Sequence, residues 1–392
     1  MNKALRVVPL PIVVLLMAAA PCGGGGGDPD AASPDAAPPT DAPTPSDCAT
    51  ATHAPISTDP AIVALARATS AFRRALDPGQ LDKAGFCLED DELSSWSFLP
   101  VFVAPRKGIK LSELTADQVD LAYAALDAFL STQGYDRLHF IINTLDEMLR
   151  QMSGGFGFGA GLYHLSLFND PATDGAWGFQ IDGHHLAITF VVDGDQVYMT
   201  PAFFGAQPKT LDGVNFFAAE ESLTLALIDA LSPDQLARAR LGATAPNDVV
   251  TSPGNGGPDA ARTFDYSRFQ TGLRAAELGA DQKAKLRALI AQVVGYQDDR
   301  FAAAKRAEID AAFDDTWLAW MGPDRLAGRF YIRIYNPKLV IEYDLTTLLP
   351  GNGTEHPHLI IRTPGEGDFG PFALRGPSLV DHLRTDPEHR AH

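Results

Sequence analysis

The sequence predicts an α+β fold: an antiparallel sheet built from two strand blocks, about residues 162–204 and 328–363, with helices before and between them. Three observations lead there. Short segments rich in aromatic and β-branched residues gather in two blocks instead of alternating with helical ones. Turn signals join neighbours within the blocks, Asp193-Gly194 in the first and Asn336-Pro337 in the second. Helical periodicity with capping residues fills the intervening stretches. The two blocks could join in one sheet, which would make residues 48–392 a single globular domain.

Asp59-Pro60 is a cap followed by a tolerated first-turn proline, and Ile62, Leu65, Ala66 and Phe72 share one face to about Leu76. Thr115 with Gln118 forms a capping-box pattern that opens a helix to about Ser131, closed by Gly134. Leu138, Ile141, Leu145, Leu149 and Met152 mark the next helix. Strands are expected at Leu162–Phe168, Trp177–Ile181, Leu186–Val192 and Gln196–Thr200. Helices return from about Phe217 to Leu241, with a capped start at Ser232-Pro233-Asp234-Gln235, then over Asp281–Val294 and Phe301–Trp320. Gly242–Pro258 reads as a loop. The second block comprises Arg329–Tyr335, Leu339–Leu345 and His358–Thr363. No internal repeat stands out.

Composition narrows the function classes. The chain has 392 residues, and 31 Lys+Arg against 49 Asp+Glu give a net charge of −18. That balance argues against nucleic-acid binding, which needs a dense basic surface. Three cysteines are too few for a disulfide scaffold or a four-cysteine zinc site.

The N-terminus reads as an export signal. Lys3 and Arg6 precede an apolar stretch from Val7 to Ala20 that is too short for a comfortable span and is weakened by Pro9 and Pro11. It ends in Ala19-Ala20-Pro21-Cys22, which resembles a bacterial lipoprotein cleavage box, although Ala19 and Pro21 depart from the usual Leu and small residue. The resemblance implies a signal peptide over residues 1–21 and acyl groups, palmitate among them, on Cys22; the alternative is an ordinary secretory signal cleaved nearby. Five glycines, Gly23 to Gly27, and a Pro/Asp-rich stretch to Asp47 follow, a composition suited to an extended tether. By analogy with lipoprotein sorting, Gly after the Cys implies the outer membrane, facing periplasm or cell surface. In that oxidising setting Cys48 and Cys87 are expected to form a disulfide, closing a loop of about 40 residues with roughly 4 kcal/mol of stabilisation.

Motifs for familiar chemistries are lacking. Gly155, Gly157 and Ala160 have dinucleotide-fingerprint spacing, but a helix precedes them and a strand follows, the reverse of what phosphate cradling requires. Asp368-Phe369-Gly370 stands without the other kinase elements. There is no G-x-S-x-G elbow and no H-E-x-x-H helix.

The histidines remain. His164, His184, His185, His356, His358 and His382 lie in or beside the strand blocks. Alternation lets His356 and His358 present two nitrogens to one side, with Arg362 sharing that parity. Glu342 interrupts an apolar run on the neighbouring strand, and two His with one carboxylate can hold iron, zinc or manganese. In an extended segment His184 would face the apolar side with Leu186, Ile188 and Phe190, leaving His185 as the candidate ligand. The expected metal set is therefore His185, Glu342, His356 and His358, around one divalent transition metal such as Zn, Fe or Mn. His184, His185, Arg333 and Arg362 are the candidates for catalytic work, the arginines binding an anionic part of the substrate. Competing readings stay open: Glu342 pairing with Arg333 or Arg362, and His356 serving only as a turn residue before Pro357.

Taken together, Phe168-Asn169-Asp170-Pro171, Trp177-Gly178-Phe179, Gly183-His184-His185-Leu186 and Thr200 to Pro208 resemble the bacterial domain-of-unknown-function 3500 family. So do Trp320-Met321-Gly322, Tyr331-Ile332-Arg333-Ile334, Ile341-Glu342-Tyr343-Asp344, His356-Pro357-His358, Arg362 and Asp368-Phe369-Gly370, covering roughly Ile109 to His382. The resemblance implies a single unit and carries no activity with it.

Two functions compete. One is an exported, membrane-anchored, metal-dependent enzyme, a hydrolase first and an oxidoreductase second, acting on a small molecule. The other is a non-catalytic binding or scaffold module, with Trp177, Phe203, Phe204 and Trp317 lining a pocket.

Overall fold

Alternation along each strand sorts the central sheet into two faces. Leu186, Ile188, Phe190 and Val192 join the main core, whereas Ala187 and Val191 join a second, smaller one. The same split separates Leu339, Ile341, Tyr343 and Leu345 from Glu342 and Asp344, and Leu359 and Ile361 from Ile360. Helices cover the first face. Loops cover the second, and the polar residues of interest lie under those loops.

This architecture is seen in a computed structural model that describes Cys48 and residues 54–252, 264–323, 328–347, 355–364 and 367–370. The signal peptide, Cys22, the Gly/Pro/Asp tether, His53, His382, His389 and His392 lie outside the described residues. In chain order the first part has α1 (Pro60–Ala75), α2 (Pro78–Ala84), β1 (Gly85–Phe86), β2 (Ile109–Lys110), α3 (Ala116–Phe129), α4 (Thr132–Phe140) and α5 (Glu147–Met152). A π-helical stretch, Ile141–Asp146, joins α4 to α5. Then come β3 (His164–Phe168), β4 (Ala176–Gly183), β5 (Leu186–Asp193), β6 (Gln196–Tyr198), β7 (Ala202–Gly205), β8 (Thr210–Leu211) and β9 (Val214–Asn215). The second part has α6 (Ala218–Asp229), α7 (Pro233–Ala239), β10 (Arg240–Gly242), β11 (Leu273–Arg274), α8 (Ala280–Val294), α9 (Asp299–Ala311), β12 (Trp317–Met321), β13 (Phe330–Asn336), β14 (Leu339–Thr347) and β15 (Glu355–Arg362).

The fold is α+β, and the two strand blocks do join. The sheet runs β1-β3-β4-β5-β7-β15-β14-β13-β12-β10, antiparallel except for the outer pairs β1–β3 and β10–β12. Cys48 and Cys87 are disulfide-bonded, with Cα atoms 5.3 Å apart. Several boundaries depart from expectation. Gly134 does not close α3, which ends at Phe129; Ser131 caps α4, and Gly134 lies inside it. Helix α9 stops at Ala311, and Trp317–Met321 is strand β12, because Trp317, Leu318 and Trp320 pair with β13 rather than follow a helical stripe. Likewise α7 ends at Ala239, and Arg240–Gly242 pairs with β12.

The strand order is a palindrome, and the absence of a repeat is corrected by it. The stretch Glu113-Leu114-Thr115-Ala116-Asp117-Gln118 before and into α3 corresponds to Glu277-Leu278-Gly279-Ala280-Asp281-Gln282 before and into α8. Each half locks its helices with the same glutamine pair. Gln118 Nε2 donates to Gln80 Oε1 at 2.7 Å and to Ala75 O at 2.7 Å; Gln282 Nε2 donates to Gln235 Oε1 at 2.7 Å and to Ala230 O at 2.7 Å. Repeated contacts also meet at the midline. Ala202 pairs with Ile361 in the sheet, and Leu130 bridges Gln297 in the helical layer. Ser131 N donates to Tyr296 O at 3.0 Å while Asp298 N donates to Phe129 O at 2.9 Å, the two N-cap residues exchanging equivalent bonds. The backbones approach so closely that a Cβ on Gly134 would lie 2.0 Å from Tyr296 O. The identities between halves are few and scattered, which is why periodicity alone does not reveal them.

The repeat breaks where the first half carries extra chain. From Ser131 to Leu165 is 34 positions, whereas the equivalent stretch from Asp298 to Leu318 is 20. The surplus holds the π-helical stretch, α5 and the glycine-rich loop that follows it.

Candidate metal centre

Three imidazoles converge on the loop-covered face. Strand β15 contributes His356 and His358, whose i, i+2 spacing turns both to one side, as alternation requires. His185 comes from the turn joining β4 to β5. Its Nε2 lies 2.5 Å from His356 Nε2, and His358 Nε2 lies 3.1 Å from the same atom. One nitrogen from each ring lies within 4.8 Å of the others. The rings are buried, with relative exposures of 4% for His185, 9% for His356 and 6% for His358.

The parity expected for His184 and His185 is corrected here, because neither lies in an extended segment. They form a two-residue turn between Gly183 and Leu186, with His185 in the left-handed region at φ 62°. A non-glycine residue held there signals constraint by its surroundings. The constraints are visible. Tyr163 OH donates to His184 O at 2.5 Å, His185 N donates to Phe98 O at 2.9 Å, and Gly205 N donates to His185 O at 2.7 Å. Gly205 also makes room, since a Cβ there would meet the His185 ring at 2.9 Å. His184 stacks on His185 with centroids 3.8 Å apart and presents Nδ1 to Asp146 Oδ1 at 2.6 Å. Asp146 ends the π-helical stretch, and its other oxygen accepts from Gly159 N at 2.7 Å. The surplus chain of the first half therefore braces the histidine turn, and Phe158 from its loop packs edge-on against His184. Phe158 is followed outward by Phe102 and the exposed Phe156.

Carboxylates stand behind His358. Asp248 Oδ1 lies 2.8 Å from Nδ1, and Asp344 Oδ1 lies 3.8 Å from it while accepting the His358 backbone N–H at 3.1 Å. A carboxylate behind a ligating imidazole fixes its tautomer and orientation. Electrostatics sort the three rings. Burial, then the charges of neighbouring histidines, holds His185 and His356 well below the usual imidazole range, keeping them neutral, the form that binds metals. Burial also opposes a charge on His358, but the Asp248 hydrogen bond and the charges of Asp344 and Asp248 together raise it. Burial pushes the Asp344 carboxyl up to about 8, against the pull of His358.

Glu342 does not join the centre. Its oxygens are saturated: Oε2 accepts from Val250 N at 2.7 Å and Tyr331 OH at 2.6 Å, and Oε1 accepts from Thr251 N at 3.0 Å and from the Thr251 hydroxyl. It pins the 248–252 segment to the sheet and so delivers Asp248 to His358. The carboxylate beside the histidines is Asp344, two residues along the same strand and on the same face.

The arginines are elsewhere too. Arg333 reaches the Thr271 hydroxyl at 2.9 Å and lies over the Phe269 ring. Arg362 has the parity of His358 but sits four residues, about 13 Å, along the strand, and bonds Asp368 Oδ2 at 2.6 Å. Ile360, Phe203 and Phe98 fill that face in the same small core. Trp177, Phe203 and Phe204 are buried against Phe129, Phe98 and Tyr296 respectively, so they serve packing. His164 is bonded to the Leu162 carbonyl.

Asp146, Asp248 and Asp344 were not among the expected site residues. Asp344 had a signal, being two positions from Glu342 in the same apolar run. Asp248, in a Gly/Pro/Asn-rich loop, and Asp146, inside a helical pattern, had none.

Comparison with curated proteins and with solved structures returns no match. Comparison with protein families does: residues 58–371 match the family described as "Protein of unknown function (DUF3500)". That match spans most of the chain and includes the histidine turn, the glutamine-locked repeats and the His-Pro-His strand, and the chain belongs to this DUF3500 family.

Proposed function

We propose that this protein is a metal-dependent enzyme, a hydrolase in the first instance, exported and held at a membrane by lipid on Cys22. The supporting observation is the convergence of the Nε2 atoms of His185, His356 and His358. A single imidazole lone pair on His356 cannot satisfy two neighbouring nitrogens by hydrogen bonding, whereas one cation can be shared by all three. Three neutral imidazoles suit zinc or iron better than manganese, which prefers oxygen donors, and leave coordination positions for water or substrate. A bound ion would supply a Lewis acid and an activated water. The chain's own residues hold the rings: Asp248 and Asp344 orient His358, and Asp146 with Tyr163 fixes the turn carrying His185.

Zinc or another redox-inert ion favours hydrolysis; iron would move the reading to oxidation. Attachment follows from the sequence before Cys48 and from the glycine after Cys22, which favours the outer membrane. Among the described residues no helix is long and apolar enough to cross a membrane.

The test is elemental analysis of the full-length protein, purified without a histidine tag or chelator. At least one equivalent of a divalent transition metal is expected, one equivalent of it lost from His356→Ala, together with metal-dependent cleavage in an ester, amide and phosphoester panel. A metal-free protein that takes up none on titration would sink the proposal. Incorporation of labelled palmitate, abolished by Cys22→Ser, tests the anchor.

A further inference from the structure

The three-histidine centre uses only one edge of the His358 ring. Its other edge, Nδ1, faces Asp248 Oδ1 at 2.8 Å and Asp344 Oδ1 at 3.8 Å, and one ligand atom from each of these residues lies within 4.8 Å of the others. Asp344 is fully buried, and its Oδ2 has no hydrogen-bond partner. A desolvated carboxylate oxygen without a donor is costly. One ring N–H on His358 cannot serve two carboxylates.

Three further features point to a cation there. The Asp344 Oδ1 position is fixed by the His358 backbone N–H, so the carboxylate cannot turn away without losing that bond. The Asp248 segment is pinned by three bonds to Glu342, from Val250 N, Thr251 N and the Thr251 hydroxyl, yet the Asp248 side chain keeps 25% exposure, a route from solvent. The repeat supplies a contrast. Pairing register puts Val191 and Tyr198 at the positions of Asp344 and His358, so the other half carries no such donors.

We propose that Asp248, Asp344 and His358 Nδ1 form a second divalent-cation site, with the His358 ring bridging two ions. On binding the second ion the Nδ1 proton of His358 and any proton on the Asp344 carboxyl leave to solvent, and two carboxylates and an imidazolate face the metal. An oxygen-rich set of this kind favours a harder ion such as Mn²⁺ more than the three-imidazole set does. The bridging role rests on the metal centre proposed above; the Asp-Asp-His site does not.

The test is stoichiometry. Metal-depleted full-length protein is titrated with Zn²⁺ alone and with Mn²⁺ alone, and bound metal is counted by calorimetry and elemental analysis. Two ions per chain are expected. Asp344→Asn and Asp248→Asn should each bind one, and His185→Ala should also bind one, with a Mn²⁺ preference higher than in Asp248→Asn. Asp248 is partly exposed, so its variant remains informative if Asp344→Asn fails to fold. One ion in the wild type, lost from His356→Ala and kept by Asp248→Asn, overturns the second site and leaves the three-histidine centre standing. One ion lost from Asp248→Asn but kept by His356→Ala does the reverse, and no bound ion overturns both.

Discussion

Replacing Glu342 by Gln should cost about 2–4 kcal/mol of stability, and the structure says why. Glu342 is fully buried and accepts four hydrogen bonds, two on each oxygen. An amide nitrogen in place of either oxygen faces one hydroxyl and one backbone N–H. The hydroxyl of Tyr331 or Thr251 can rotate and accept; the N–H of Val250 or Thr251 cannot. One buried backbone donor is therefore orphaned, a loss of about 1–3 kcal/mol, and three bonds to a charged acceptor become bonds to a neutral group at roughly 1 kcal/mol each. Relief from burying the charge offsets part of this. Urea unfolding of wild type and variant measures the difference. The 248–252 segment should loosen as well, so Asp248 would hold His358 less firmly and metal affinity should fall without vanishing. A stability change below about 1 kcal/mol would mean that the bonds to Glu342 do not hold the segment as described. Complete loss of metal with stability intact would show that Glu342 is a ligand after all.

Further outcomes follow from other contacts. Gly134→Ala should destabilise by about 3 kcal/mol, at the upper end for overpacking, because a Cβ would lie 2.0 Å from Tyr296 O; the gain normally expected of Gly→Ala in a helix, if seen by thermal melting, would contradict the contact. Removing the Cys48–Cys87 bridge, which spans 39 positions, should lower stability by roughly 4 kcal/mol on the chain-entropy model; reduced and oxidised protein with equal urea midpoints would count against it. Burial, then the charges of Arg106 and Lys110, pushes His164 down to about 4. The unfolded chain, with an ordinary His near 6.5, takes up a proton that the fold refuses, so this residue's contribution is lost as pH falls from about 6.5 to about 4. Relative to His164→Asn, the wild type should lose more stability across that window; parallel stability curves would argue that His164 is not buried neutral.

Much of the fold was legible because alternation and capping are local signals. Asp59, Thr115 and Ser232 cap the helices where their sequence context places them. Strand β12 was not legible, since Trp317 to Met321 is as apolar as a helix end and only pairing with β13 decides its form. The repeat was hidden for a similar reason: Gln118 and Gln282 look like ordinary capping residues until each meets its partner glutamine. At the site, His356 and His358 were readable from spacing. The role of Asp344 over Glu342 depended on which loop donors reach each carboxylate, information spread over a separation of about ninety residues. His185 was selected, but by a strand argument that the turn replaces.

The most direct measurement of the central claim is X-ray absorption at the edge of the bound metal in the full-length protein. Coordination dominated by imidazole nitrogen at about 2.0–2.1 Å is expected if the ion is zinc, with multiple-scattering features that weaken stepwise in His185→Ala and His356→Ala. A shell of oxygen or sulfur ligands without imidazole scattering would contradict it.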